Sequence, residues 1–157
     1  MKDAREIERK FRLTALPDPK QIGAGVDIAQ GYLSVSPVEM RVRKKGDRCY
    51  LTVKGDGDID RAEWETEIPF WVFDRLWPQT VARQLSKTRY SVPDGDRLLE
   101  IDEYHGALAG LVTLECEFPT VDASSTFIPP PWVGPAEDVS TDARYKNHRL
   151  AEWGLPK

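Results

Sequence analysis

The chain has 157 residues, of which 40% are hydrophobic and 31% charged, with 22 Lys and Arg against 26 Asp and Glu for a formal net charge of -4. This is the size of one domain with enough apolar surface for a core, so a single domain over residues 1–157 is expected. The mild acidity argues against bulk attraction to nucleic acid or an anionic membrane, and no run reaches the roughly 18 apolar residues of a membrane-spanning helix.

Period-two alternation, the rhythm of strands, runs through most of the chain. The N-terminal MKDAREIERKF has no apolar run like that of a signal peptide, and the first predicted strand covers residues 5–13. Strands are predicted next over residues 30–34, 38–45, 48–54 and 63–68, with Lys45-Gly46-Asp47 closing a hairpin. A short helix over residues 70–76 precedes Pro78 and offers Trp71, Phe73, Leu76 and the following Trp77 as a bulky apolar face. Strands over residues 84–92, 98–104 and 111–118 follow, separated by Pro93-Asp94-Gly95-Asp96 and by a turn between Gly106 and Gly110. A brief helix is expected over residues 122–127, before Pro129-Pro130-Pro131. A last one is expected over residues 142–153, with Ser140 or Thr141 as its N-cap and Gly154 just past its end.

Cys49 and Cys116 are the only cysteines and form no CxxC, so neither a disulfide framework nor a thiolate zinc site is expected, and a reducing cytoplasm fits. Cys116 alternates with Glu115 and Glu117 and so belongs to an apolar face, as a structural thiol.

The two faces of each strand differ sharply. One parity is ionisable: Glu6, Glu8, Lys10 and Arg12, then Arg41 and Arg43, Lys54, Glu63 and Glu65, Lys87 and Arg89, Glu100 and Asp102, Glu115 and Glu117. The other is apolar: Ile7 and Phe11, Met40 and Val42, Leu51 and Val53, Trp64 and Ile68, Leu99 and Ile101, Leu114 and Cys116. Two architectures satisfy this pattern. One is a sandwich or open sheet with a solvated charged face; the other is a barrel with its charged parity inward. The signs favour the second. Glu6/Glu8, Glu63/Glu65, Glu100/Asp102, Glu115/Glu117, Arg41/Arg43 and Lys87/Arg89 are like-charged neighbours on one face, which repel unless something is bound between them. Clustered carboxylates suit hard divalent cations, and clustered Arg and Lys suit phosphate oxygens.

Glu6-Ile7-Glu8-Arg9-Lys10 carries the E-x-E-x-K pattern of the CYTH superfamily, the triphosphate tunnel metalloenzymes. Gln30-Gly31-Tyr32-Leu33, Arg41-Val42-Arg43, Thr52-Val53-Lys54-Gly55, Glu63-Trp64-Glu65, Lys87-Thr88-Arg89-Tyr90, Glu100-Ile101-Asp102 and Leu114-Glu115-Cys116-Glu117 follow in that family's order. The tail Asp142-Ala143-Arg144-Tyr145-Lys146-Asn147 resembles the C-terminal helix of short bacterial members, so the resemblance spans essentially the whole chain. It implies a mainly β fold: a closed eight-stranded antiparallel barrel with a few short helices outside and a C-terminal helix near one mouth.

It also implies Mg2+ or Mn2+ dependence and hydrolysis of inorganic triphosphate to pyrophosphate and orthophosphate. By the same resemblance, Glu6, Glu8, Glu115 and Glu117 look like metal ligands, and Lys10, Arg41, Arg43, Lys54, Lys87 and Arg89 like the phosphate cradle. Asp102 with Glu63 or Glu65 would serve a second metal or the attacking water, and Tyr32 would sit near a tunnel mouth. Lys87 would act as a general base only with a lowered pKa. Arg12 shares the functional parity of Lys10, whereas Glu39 and Lys45 read as solvated, and His105 and His148 as surface or packing residues.

Other readings are a class IV adenylate cyclase, a thiamine or nucleoside triphosphatase, and a polyphosphate-binding module without catalysis. The expected partner is a small linear triphosphate, without nucleic acid or membrane, and the apolar outer parity suggests a homodimer.

Overall fold

Every strand predicted from alternation forms, and the sheet they build closes on itself. The computed structural model describes the backbone of residues 2–157 and the side chains of residues 5–157. Among these residues the strands are β1 (Lys2–Leu13), β2 (Val26–Ser34), β3 (Glu39–Lys45), β4 (Arg48–Lys54), β5 (Asp60–Ile68), β6 (Gln84–Asp94), β7 (Arg97–Tyr104), β8 (Val112–Glu117) and β9 (Ala136–Asp138). Their order is β5-β4-β3-β2-β6-β7-β8-β1-β9, and a further β5–β1 pairing closes the first eight into an antiparallel barrel. The closing strand is shared along its length. Glu6 lies opposite Arg61 of β5, whereas Glu8 and Lys10 lie opposite Glu117 and Glu115 of β8. Beyond that, Phe11–Leu13 also pair with β9, which extends the sheet outside the barrel.

The apolar parity faces outward, and the helices pack on it. Phe11, Leu13, Leu99, Ile101, Leu114 and Cys116 form one buried cluster, joined by Ile22 of α1 (Pro19–Ile22) and by Phe127 just past α3 (Val121–Ser125). Val42 and Cys49 meet Phe73 of α2 (Phe70–Leu76) in another cluster. Both thiols are free and buried, as structural cysteines. The core therefore lies between barrel and helices, where full burial of each large apolar side chain contributes about 1.5–3 kcal/mol.

Three local expectations are corrected. The last predicted helix is interrupted: Ala143–Tyr145 form a 3-10 turn, Lys146 is extended (φ -64, ψ 137), and α4 covers Asn147–Trp153. The cap is Asp142, whose carboxylate accepts from Arg144 N, rather than Ser140 or Thr141. The break has a tertiary cause, because the Tyr145 carbonyl accepts from Lys10 Nζ at 2.7 Å instead of from a following helical turn. Second, β2 begins at Val26, four residues before its predicted start, because Ile28 joins the inward parity as an uncharged residue opposite Lys45 and Lys87. Third, α1 and β9 are too short for periodicity to reveal. Gly154 caps α4 at φ 81 as expected. Among the described residues no helix is long and apolar enough to cross a membrane.

Candidate active site

Cross-strand partners share a face, so the register fixes which charges meet inside the barrel. Lys54 lies opposite both Glu39 and Glu63, Arg89 opposite Asp102, Arg41 opposite Thr52, and Thr52 opposite Glu65. Two like-charged pairs also face each other, Glu8 with Glu117 and Glu100 with Glu115. The rows are thus less segregated by sign than the sequence suggests. Basic β3 and acidic β5 flank a mixed β4, and their side chains reach into one hollow.

That hollow has two parts. A front chamber of about 420 Å³ is lined by Arg43, Lys45, Glu63, Glu65, Arg89 and Glu117, among others. A rear chamber of about 50 Å³ is lined by Lys10, Tyr32, Glu39, Arg61, Tyr145 and Lys146, among others. Glu6, Glu8, Arg41, Lys54, Glu115 and Asn147 border both. The segment from Val139 to Leu150 crosses the rear mouth. Besides the Lys10–Tyr145 bond, Tyr104 Oη donates to Asn147 Oδ1 at 2.7 Å, and His148 meets the Tyr32 ring edge-to-face.

The carboxylates are held in different states. Burial pushes the Glu6 carboxyl up, but Lys54 Nζ at 2.7 Å and the nearby Arg41 outweigh it and bring Glu6 to about 2. Glu115 is likewise held low against its burial by Lys10 at 3.3 Å and Arg89 at 3.6 Å. Glu8 goes the other way, raised by burial and by the neighbouring Glu115 and Glu6. One oxygen each from Glu6, Glu63 and Glu117 lies within 4.8 Å of the others, a spacing that a hard divalent cation can bridge. The donor set fits such an ion, since all three groups are carboxylates, with Glu8 beside them.

The basic groups divide as well. Asp102 grips Arg89 with both oxygens, at 2.7 and 2.8 Å, while Glu100 takes its other arm at 2.9 Å. Arg41 and Arg43 instead carry buried Nε atoms with no hydrogen-bond partner. Burial, with Arg41 and Arg89 close by, lowers the Arg43 guanidinium to about 10. Lys87 is 1% exposed, bonded to Asp102 at 2.7 Å, and burial lowers its ammonium to about 8.

The structure thus brings Glu6, Glu8, Glu63, Glu65, Glu115, Glu117, Lys10, Tyr32, Arg41, Arg43, Lys54 and Arg89 to the hollow. Lys87 and Asp102 line neither chamber; they stand behind Arg89. Arg12 is corrected: at the rim it is exposed and pairs with Glu137 of β9 at 2.7 Å, because β1 has there passed the end of the tunnel. Glu39 is corrected too: it is buried in the rear chamber and paired with Arg61 at 3.3 Å. Its shared parity with Arg41 and Arg43 was the available signal. Lys45 is part-buried at the front chamber. Ser140, Lys146 and Asn147 carry no alternation signal, since the first two lie on irregular backbone and Asn147 opens α4.

No family model matches the chain. It is, however, 43% identical over 150 residues to an inorganic triphosphatase of Nitrosomonas europaea, covering 93% of this chain and 96% of that protein. The chain belongs to the CYTH superfamily. Another CYTH relative, an inorganic triphosphatase of Acetivibrio thermocellus, is 34% identical, with 94% of each chain covered. The crystal structure of the inorganic triphosphatase NE1496 superposes with a TM-score of 0.67 at 40% identity, covering 96% of this chain and 97% of that one. The CYTH barrel seen here is the one the E-x-E-x-K strand led us to expect, with its charged parity inward.

Proposed function

We propose that this protein hydrolyses inorganic triphosphate to pyrophosphate and orthophosphate inside the barrel, with Mg2+ or Mn2+ as cofactor. The observation that carries the reading is the pair of buried, unpartnered Nε atoms on Arg41 and Arg43. Each buried donor left without a partner costs about 1–3 kcal/mol, which a bound oxyanion would remove. The two relatives above, both inorganic triphosphatases, support the same substrate.

In this reading Arg41, Arg43, Lys10, Lys54 and Arg89 donate to phosphoryl oxygens and offset charge that grows as the bond breaks. Asp102 fixes the Arg89 fork, so that its position is set before substrate arrives. Glu6, Glu63 and Glu117 would hold the cation, with Glu8 and Glu115 beside them, and when bound it would supply Lewis-acid polarisation of phosphoryl oxygen. Glu65, which accepts from Thr52 at 2.8 Å, orients water in the front chamber. Lys87 lines neither chamber, so its part is to hold Asp102, at 2.7 Å, behind the Arg89 fork.

One cytoplasmic domain is supported by the continuous barrel and the two buried thiols. The absence of nucleic-acid and membrane partners is supported by a net charge of -4 with the main basic cluster turned inward. A homodimer is supported by Phe70 and Trp71, exposed at 56% and 65% on α2.

The test is phosphate release from tripolyphosphate, ATP, thiamine triphosphate and pyrophosphate, each with Mg2+, Mn2+ or EDTA, alongside Glu117→Ala. Fast cleavage of tripolyphosphate that EDTA and Glu117→Ala both abolish is the expected result. Cyclic AMP from ATP would replace the proposal with a cyclase, and tight tripolyphosphate binding without turnover would replace it with a binding module.

A further inference from the structure

We propose that Lys146 and Asp58 latch a back door, through which the product formed in the rear chamber leaves the barrel. The inference rests on the reading that a triphosphate lies along the tunnel. A linear substrate entering at the front would place its terminal phosphoryl group deepest. The rear chamber suits that group: it is small, about 50 Å³, and Lys10, Arg61 and Lys146 in its lining supply positive charge for a phosphoryl group. In single file, the rear product is trapped behind the front product unless the rear wall opens.

The rear wall has one weak place. Most of the crossing segment is anchored in apolar contact, with Val139, Tyr145 and Leu150 buried against Leu85, Tyr104, Leu108 and Leu111. Between these anchors, Lys146 Nζ reaches to Asp58 Oδ1 at 2.8 Å and Gly57 O at 3.1 Å. This closes the gap between the segment and the β4–β5 loop. Both side chains of the pair are partly open to water, at 27% and 47%, so the link is of the exposed kind that breaks readily. The backbone on each side can yield. Lys146 is extended between the 3-10 turn and α4, and Gly57 holds φ +130, a conformation glycine alone adopts without strain. The trigger lies in the same chamber. Lys146 and Asp58 both line it, so orthophosphate formed there competes with the Asp58 carboxylate for the Lys146 ammonium. As the ammonium turns inward, the latch parts and the anion is left beside an opening.

The experiment separates cleavage from release. With tripolyphosphate and Mg2+, total cleavage is read by acid quench in a single turnover, and free orthophosphate by a fluorescent phosphate reporter. The proteins are wild type, Asp58→Asn, Lys146→Met, the exchanged pair Asp58→Lys with Lys146→Asp, and Asp58→Cys with Lys146→Cys bridged by a short bismaleimide. The buried Cys49 and Cys116 are shielded from that reagent. In Asp58→Asn, which keeps the Lys146 ammonium, cleavage is expected to stay within about twofold; in the variants that lack it, release is read relative to that protein's own cleavage rate. Release should quicken by about two- to fivefold when the latch is cut, the scale of an exposed ion pair, and return towards wild type in the exchanged pair. It should slow well beyond that range when the bridge is closed, with the unbridged double cysteine as the folding control. Release that ignores both cutting and bridging overturns the proposal, as does cleavage falling in parallel with release. If wild type itself cleaves nothing, the underlying triphosphatase reading has failed instead.

Discussion

Lys54 reaches past the intervening strand β5 to Glu6 on β1, placing its Nζ 2.7 Å from Oε1 with both side chains at least nine-tenths buried. In the proposed function this pair would join the two halves of the hollow, one partner turned to the phosphates and the other to the cation. It also sets an acid limit. The Glu6 carboxyl is held at about 2, below its ordinary value, so its contribution to stability is complete above about 4.5 and is lost as pH falls through about 2. In Lys54→Met that loss should move to higher pH, as read from denaturant midpoints between pH 2 and 5. The same variant should lose about ten- to a hundredfold in kcat/KM on tripolyphosphate, the scale of one charged hydrogen bond.

Arg41 and Arg43 test the cradle differently. Lysine keeps the charge but not the fork, and has no counterpart to the buried Nε donors. Arg41→Lys and Arg43→Lys should each raise KM for tripolyphosphate by about tenfold, with a smaller change in kcat. Steady-state kinetics decide it, and an unchanged KM in both variants would remove the cradle assignment.

Lys87 gives the pH dependence. Its ammonium, which holds Asp102 behind Arg89, is lowered to about 8 by burial, so that ion pair is lost as pH rises through about 8. The Arg89 fork then loses its backing, and kcat on tripolyphosphate should fall through the same range. Lys87→Arg, charged at every accessible pH, should lose that falling limb. A wild-type rate that instead stays level or climbs through pH 8 would remove Lys87 from the support of the cradle.

Arg9 belongs to the outer parity yet is only 12% exposed. Its guanidinium binds Asp138 at 2.7 Å, Ser140 Oγ at 3.3 Å and the Ser124 carbonyl, and lies over the Phe11 ring. Arg9→Ala should cost about 1–3 kcal/mol of stability, visible as a lower denaturant midpoint. Hydrogen exchange at the Val139 amide, which donates to Lys10 O, should quicken with it.

What the sequence showed and what it hid divide along physical lines. Alternation depends on neighbours within one strand, so the inward parity, the outward apolar face and α2 at Phe70–Leu76 were legible. Arg9 stands in the E-x-E-x-K strand, but its partners Asp138, at the end of the three-residue β9, and Ser140 lie about 130 residues away, and no local period announces them. Lys87 and Asp102 have the right parity; which basic group borders water and which stands behind it depends on how the strands curve, a property of the closed barrel. The broken last helix has the same origin, since Lys10 takes a carbonyl that a helix would have used.

The closing strand has a consequence for how the molecule comes into being. Glu6, Glu63 and Glu117 belong to β1, β5 and β8, the three strands that meet where the barrel shuts. Glu8 finds its opposite number, Glu117, roughly a hundred residues further along, so the first strand made waits for nearly the last before the ring is complete. The acidic cluster is therefore incomplete until β1 has met both β5 and β8, so it depends on contacts between distant parts of the chain.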